Sequence, residues 1–96
     1  MAYKIEFEAQ ALAEFSNLDG AVKKQIRKYI DKLAEREDPR TLGEPLQSNL
    51  SMFWKYRVGD YRLVAEIQDE KLVVLMLVIA HRRVVYKTAD KRLNRK

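Results

Sequence analysis

Residues 3–8 alternate strictly, with Tyr3, Ile5 and Phe7 on one side and Lys4, Glu6 and Glu8 on the other, which predicts a half-buried strand. Over residues 10–18 the apolar positions Leu12, Phe15 and Leu18 recur every three, and Asp19-Gly20 supplies a turn, so a short helix is expected. Val22, Ile26, Tyr29, Ile30 and Leu33 then form the apolar stripe of a second helix. It should end near Asp38-Pro39, because proline lacks the helical N–H and restricts the residue before it. Residues 40–51 carry Gly43, Pro45, Ser48 and Asn49 among Leu42, Leu46 and Leu50, the pattern of a loop tacked onto the core.

From residue 52 to 58, Met52, Trp54, Tyr56 and Val58 alternate with Phe53, Lys55 and Arg57, and Gly59-Asp60 turns the chain into a second strand over 61–68. Asp69-Glu70 leads to an almost continuous apolar strand over 71–79, the expected buried centre of the sheet. The sum is an α+β domain: an N-terminal strand, a two-helix hairpin and a three-stranded antiparallel meander. The helices should pack on one face of the sheet and leave the other available. One domain is expected over residues 1–87, followed by a basic tail, 88–96, with a short helix around Leu93.

Composition narrows the chemistry. The 96 residues include no cysteine, which excludes disulfides, thiolate metal sites and a cysteine nucleophile and suits a reducing compartment; the cytoplasm is expected. The longest apolar run, residues 72–80, is far short of the roughly 20 residues of a membrane-spanning helix, so no membrane partner is expected. The net charge of +5 is unevenly placed. Residues 1–50 hold eight Lys or Arg and nine Asp or Glu, whereas residues 51–96 hold eleven and five. Such asymmetry points to a polyanionic or acidic partner, or to solubility with a basic tail.

A two-residue turn at Gly59-Asp60 would pair Val58 with Tyr61 and set Arg57 opposite Arg62 on one face, with Lys55 on a diagonal. Like charges about 5 Å apart destabilise a sheet. Either the side chains splay into solvent, or a phosphate bridges them. Arg82, Arg83 and Tyr86 follow at the exit of the last strand, where Tyr86 is placed to stack on a base or to pack at the sheet edge. His81 is the only histidine, so a two-histidine nuclease and a multi-histidine metal site are excluded; it is a structural hydrogen-bonding residue or a proton-transfer participant. Carboxylate spacing suggests no divalent-metal cage, and the three scattered glycines form no phosphate loop, so no metal and no cofactor are expected.

The opening Met1-Ala2-Tyr3, Lys55-x-Arg57, Gly59-Asp60-Tyr61-Arg62-Leu63-Val64 and His81-Arg82-Arg83-x-x-Tyr86, in this order, resemble the RelE family of toxins, within the RelE/ParE superfamily. The resemblance covers about residues 2–87 and implies a RelE-like, microbial ribonuclease-like fold. It implies a metal-independent endoribonuclease that cuts mRNA in the ribosomal A site and so inhibits translation. Its implied catalytic residues are Lys55, Arg57, Arg62, Arg82 and Tyr86, Arg82 and Tyr86 matching the family's last strand; His81, Arg83 and Lys87 are implied to contact RNA. Arg57 stands where some members have a second lysine, and because arginine stays protonated, base duty falls to Lys55. Crowding by Arg57 and Arg62 is expected to lower the Lys55 pKa. The implied partners are a RelB-like antitoxin, the 70S ribosome with its mRNA, and DNA only through the antitoxin. The antitoxin would cover or distort the basic face or displace the C-terminal tail. Two alternatives stay open: a ParE-like toxin acting on gyrase, and a nonenzymatic RNA- or ribosome-binding module.

Overall fold

The alternating N-terminal segment forms β1 (Lys4–Phe7) in the computed structural model, which describes residues 2–94. Glu8 caps the next element, its carboxylate accepting the Gln10 N–H at 2.9 Å, and α1 (Ala9–Ser16) leads through Asn17 to α2 (Gly20–Ala34). Helix α2 stops short of Asp38-Pro39. Leu33 is its last buried position, and beyond it Glu35, Arg36, Glu37 and Asp38 offer nothing apolar to hold another turn on the sheet. The loop that follows buries Leu46 and Leu50 and contributes a two-residue strand, β2 (Glu44–Pro45). Strands β3 (Trp54–Val58), β4 (Tyr61–Gln68) and β5 (Val73–His81) make the expected antiparallel meander.

The sheet order is β1-β5-β4-β3-β2, with β1 parallel to β5 and the other pairs antiparallel. Helices α1 and α2 cover one face, where Ala11, Phe15, Ile26 and Leu33 pack on Tyr56, Leu63, Ala65, Val74 and Met76. The second face is not left open. Val64 and Val78 there lie under Leu46, Leu50, Phe53 and a third helix, α3 (Val85–Leu93), through Val85 and Ala89. Phe53, expected beside Lys55 and Arg57 on a polar face, is therefore buried. The cause lies in β5: a near-continuous apolar strand must be covered on both faces. Val85, Ala89 and Leu93, spaced i, i+4, i+8, provide part of that cover, so α3 runs through the expected boundary at residue 87 and residues 88–93 lie on the sheet. The last two residues of the expected tail, Arg95 and Lys96, and Met1 of the opening motif lie outside the described residues.

A polar network closes the far side of the sheet. Asp69 accepts two hydrogen bonds from the Arg40 guanidinium, at 3.0 and 2.9 Å, and one from the Tyr3 hydroxyl. Arg40 first, and Tyr3 second, hold the Asp69 carboxyl below its ordinary value. A depressed carboxyl pKa contributes stability above the unfolded value, and that contribution disappears as pH falls through the folded one. Asp69→Asn should therefore be less stable than the parent at neutral pH, with the gap closing in acid. Urea midpoints across that range test this, and a gap independent of pH would contradict it.

Candidate active site

The β3–β4 hairpin turns through Gly59, at φ +58°, and its register pairs Val58 with Tyr61 and Arg57 with Arg62. Because Trp54, Tyr56 and Val58 point toward α1 and α2, Lys55 and Arg57 stand on the opposite face with Arg62. Of the two facing cations, Arg57 is exposed, while Arg62 folds back and donates through Nη1 to the Gly59 and Tyr61 carbonyls at 2.9 and 2.8 Å. Strand β2 adds a carboxylate, since Glu44 pairs with Lys55 across the sheet and its Oε2 lies 3.2 Å from Lys55 Nζ. Gly43, Glu44, Lys55, Arg57 and Arg62 line one cleft of about 260 Å³.

Tyr86 reaches Lys55 from the first turn of α3, not from a strand as the resemblance implied. Lys55 Nζ donates to Tyr86 Oη at 3.0 Å and lies 4.9 Å from the centroid of its ring. Tyr86 is 40% exposed, which leaves surface for a stacked base. The expected fall in the Lys55 pKa does not occur. Burial, the largest single influence, does disfavour the ammonium, but the hydrogen bonds and charges of Tyr86 and Glu44 outweigh it and hold Lys55 above its ordinary value. The Tyr86 hydroxyl first and the Glu44 carboxylate second set the sign here, while Arg62 is turned to the hairpin carbonyls.

At the exit of β5, the Arg82 N–H donates to the Asp60 carbonyl at 2.7 Å and its Nε lies 3.6 Å from the Asp60 carboxylate. Arg82 therefore sits on the Gly59-Asp60 turn, at the Arg57–Arg62 end of the hairpin. His81 packs edge-on against Tyr61, with ring centroids 5.5 Å apart, and its Nδ1 accepts the Arg83 N–H at 3.2 Å. Those contacts favour a structural histidine. Lys87 lines a separate cleft with Gln10, Thr88, Lys91 and Arg92. The structure thus gathers Lys55, Arg57, Arg62 and Tyr86, sets Arg82 beside the turn, and places Lys87 elsewhere. Sequence reasoning missed Glu44, whose two-residue strand is too short to show a period. Its one signal was Gly43-Glu44-Pro45, a chain-bending glycine next to a charge.

Among the described residues no helix is long and apolar enough to cross a membrane, and no three His, Asp or Glu side chains are grouped to hold a metal ion. Residues 5–86 match the family model described as ParE toxin of type II toxin-antitoxin system, parDE. The mRNA interferase toxin RelE of Escherichia coli (strain K12) is 36% identical over 96 residues, spanning 97% of this chain and 99% of that protein. Toxin RelG of Mycobacterium tuberculosis is 29% identical over 87 residues, spanning 91% and 99%. Among solved structures, a mutant of E. coli toxin RelE in the free state superposes with a TM-score of 0.76 at 31% identity, covering 97% of this chain and 99% of that one. The RelBE2 toxin-antitoxin complex of M. tuberculosis gives a TM-score of 0.76 at 26% identity, covering 85% and 93%. With a family model matched over most of its length and a full-length relative above 30% identity, the chain belongs to the RelE/ParE family of type II toxin-antitoxin toxins.

Proposed function

We propose that this toxin is a ribosome-dependent endoribonuclease that cuts mRNA through attack of a ribose 2′-OH on the adjacent phosphate. The observation that carries this is Lys55, which lines one cleft with Arg57 and Arg62 and donates to Tyr86 beside it. In the reaction O2′ bonds to phosphorus while the P–O5′ bond breaks, leaving a 2′,3′-cyclic phosphate and a free 5′-OH. Arg57 and Arg62 neutralise the non-bridging oxygens as charge builds on them. Lys55, held in its ammonium form, acts as a donor and hands its proton to the leaving 5′ oxygen. The 2′ proton needs an acceptor, and of the residues lining the cleft Glu44 alone accepts a proton without first losing one. Tyr86 orients Lys55 and offers its exposed ring to a base, and Arg82 adds positive charge at the turn. In-line geometry comes from mRNA held on the ribosome. The toxin acts in the cytoplasm, where a RelB-like antitoxin restrains it and where DNA is reached only through that partner.

The ParE description of the matching family model favours a second reading, inhibition of gyrase. Adding the purified chain to translating ribosomes and mapping mRNA ends separates the two. New ends within A-site codons are expected. Intact mRNA with blocked gyrase supercoiling would establish the second reading, and ribosome binding without cleavage would leave a binding module.

A further inference from the structure

Strand β1 ends at Phe7 while β5 runs on to His81, and β5 carries an extra residue, Leu77, where the pairing with β4 shifts register between Val64 and Ala65. The upper edge of β5 thus presents backbone groups that no strand receives. Two side chains take them. Ile79 N–H donates to Glu14 Oε1 at 3.0 Å, and Arg92 donates to the Leu77 carbonyl at 2.8 Å. Arg92 also grips both Glu14 oxygens, at 3.1 and 2.9 Å. The pair is largely shielded, with side-chain exposures of 19% for Arg92 and 26% for Glu14.

Helix α3 needs such an anchor. Its nine residues fall below the roughly 12–15 at which an isolated helix becomes even marginal, and its N-terminus has no side-chain cap. Its docking face, Val85, Ala89, Arg92 and Leu93 at i, i+4, i+7 and i+8, contains one small residue, one charged one and a leucine that is only partly buried. On the same helix Tyr86 meets Lys55. We infer that Glu14 and Arg92 are positioning residues: by clamping α3 to the β5 bulge they set where Tyr86 stands and so how Lys55 is presented. The inference rests on the nuclease reading for its effect on rate, but not for its effect on α3.

The test uses the full chain with Glu14→Gln and Arg92→Gln, each made alone and with Tyr86→Ala. Amide exchange in the free protein should speed up in α3 and stay unchanged in β3 and β4. The Tyr86 ring proton shifts should move with it. Single-turnover cleavage on programmed ribosomes at saturating toxin should fall at least about tenfold, since a displacement of order 1 Å costs up to about 100-fold. In the Tyr86→Ala background the same substitutions should change the rate by less than about twofold, because their effect passes through Tyr86. Should a Gln variant fail to fold, Arg92→Lys, which keeps the charge but not the two-oxygen grip, takes its place. Unchanged α3 exchange would overturn the clamp, and equal rate losses in both backgrounds would leave it merely structural and overturn the positioning role. If the parent cuts no mRNA, the nuclease reading fails, and exchange with the Tyr86 shifts alone decides the clamp.

Discussion

Lys55→Ala is expected to lower single-turnover mRNA cleavage by about 100- to 1,000-fold, the usual cost of losing one donor aimed at developing negative charge. The substitution removes the group that touches both Tyr86 and Glu44, so it takes away the proposed proton donor together with the ring's partner. The fold should survive. Glu44, with 67% of its side chain exposed, stays in contact with water when it loses Lys55, whose own side chain is only 15% exposed. Lys55→Arg is the informative companion, because it keeps the charge but not a transferable proton. It should retain ribosome binding and still cleave slowly. Melting curves and rates measured on the same samples separate loss of fold from loss of chemistry. Cleavage by Lys55→Ala within a few-fold of the parent would remove Lys55 from the site.

Gly43→Ala should be among the most damaging single-methyl changes. Gly43 has φ +74°, and a Cβ there would press on the Lys55 carbonyl and come within 2.8 Å of the Tyr56 ring and 2.9 Å of Trp54 Nε1. Backbone strain and overpacking together cost about 2–4 kcal/mol, a Tm fall of roughly 10–30 °C for a domain of this size. Relief requires β2 to lift from β3, which carries Glu44 away from Lys55 and breaks the cleft. Gly20→Ala provides the contrast, since a Cβ at Gly20 meets nothing and opens α2 without a positive φ. It should be neutral or slightly stabilising, by about 0.4–1 kcal/mol. Equal Tm values for the two variants would refute the steric account of Gly43.

The hairpin and its basic face were legible because a two-residue turn fixes register, and register alone sets Arg57 opposite Arg62 with Lys55 on the same face. Helix α3 was only half visible. Its apolar positions are spaced correctly, but Ala89 is small and Lys87, Asp90 and Lys91 dominate the segment, so it read as a tail. The excess of apolar residues in β5 held the missing hint, since it demanded cover on both faces. The sign of the Lys55 pKa could not be read, because its raising contacts are Tyr86, on the helix that read as a tail, and then Glu44, on a strand too short to show a pattern. Glu14 and Arg92 lie 78 residues apart and meet only because α1 and α3 flank the same strand edge.

The central claim, cleavage by the 2′ hydroxyl within the Lys55 cleft, is tested most directly with ribosomes programmed by mRNA carrying a single 2′-deoxy nucleotide at the cleavage position. Toxin should still bind these complexes, the cut should disappear at that position, and all-ribo mRNA should yield a 2′,3′-cyclic phosphate. Continued cleavage of the deoxy-substituted message at the same bond would contradict the mechanism.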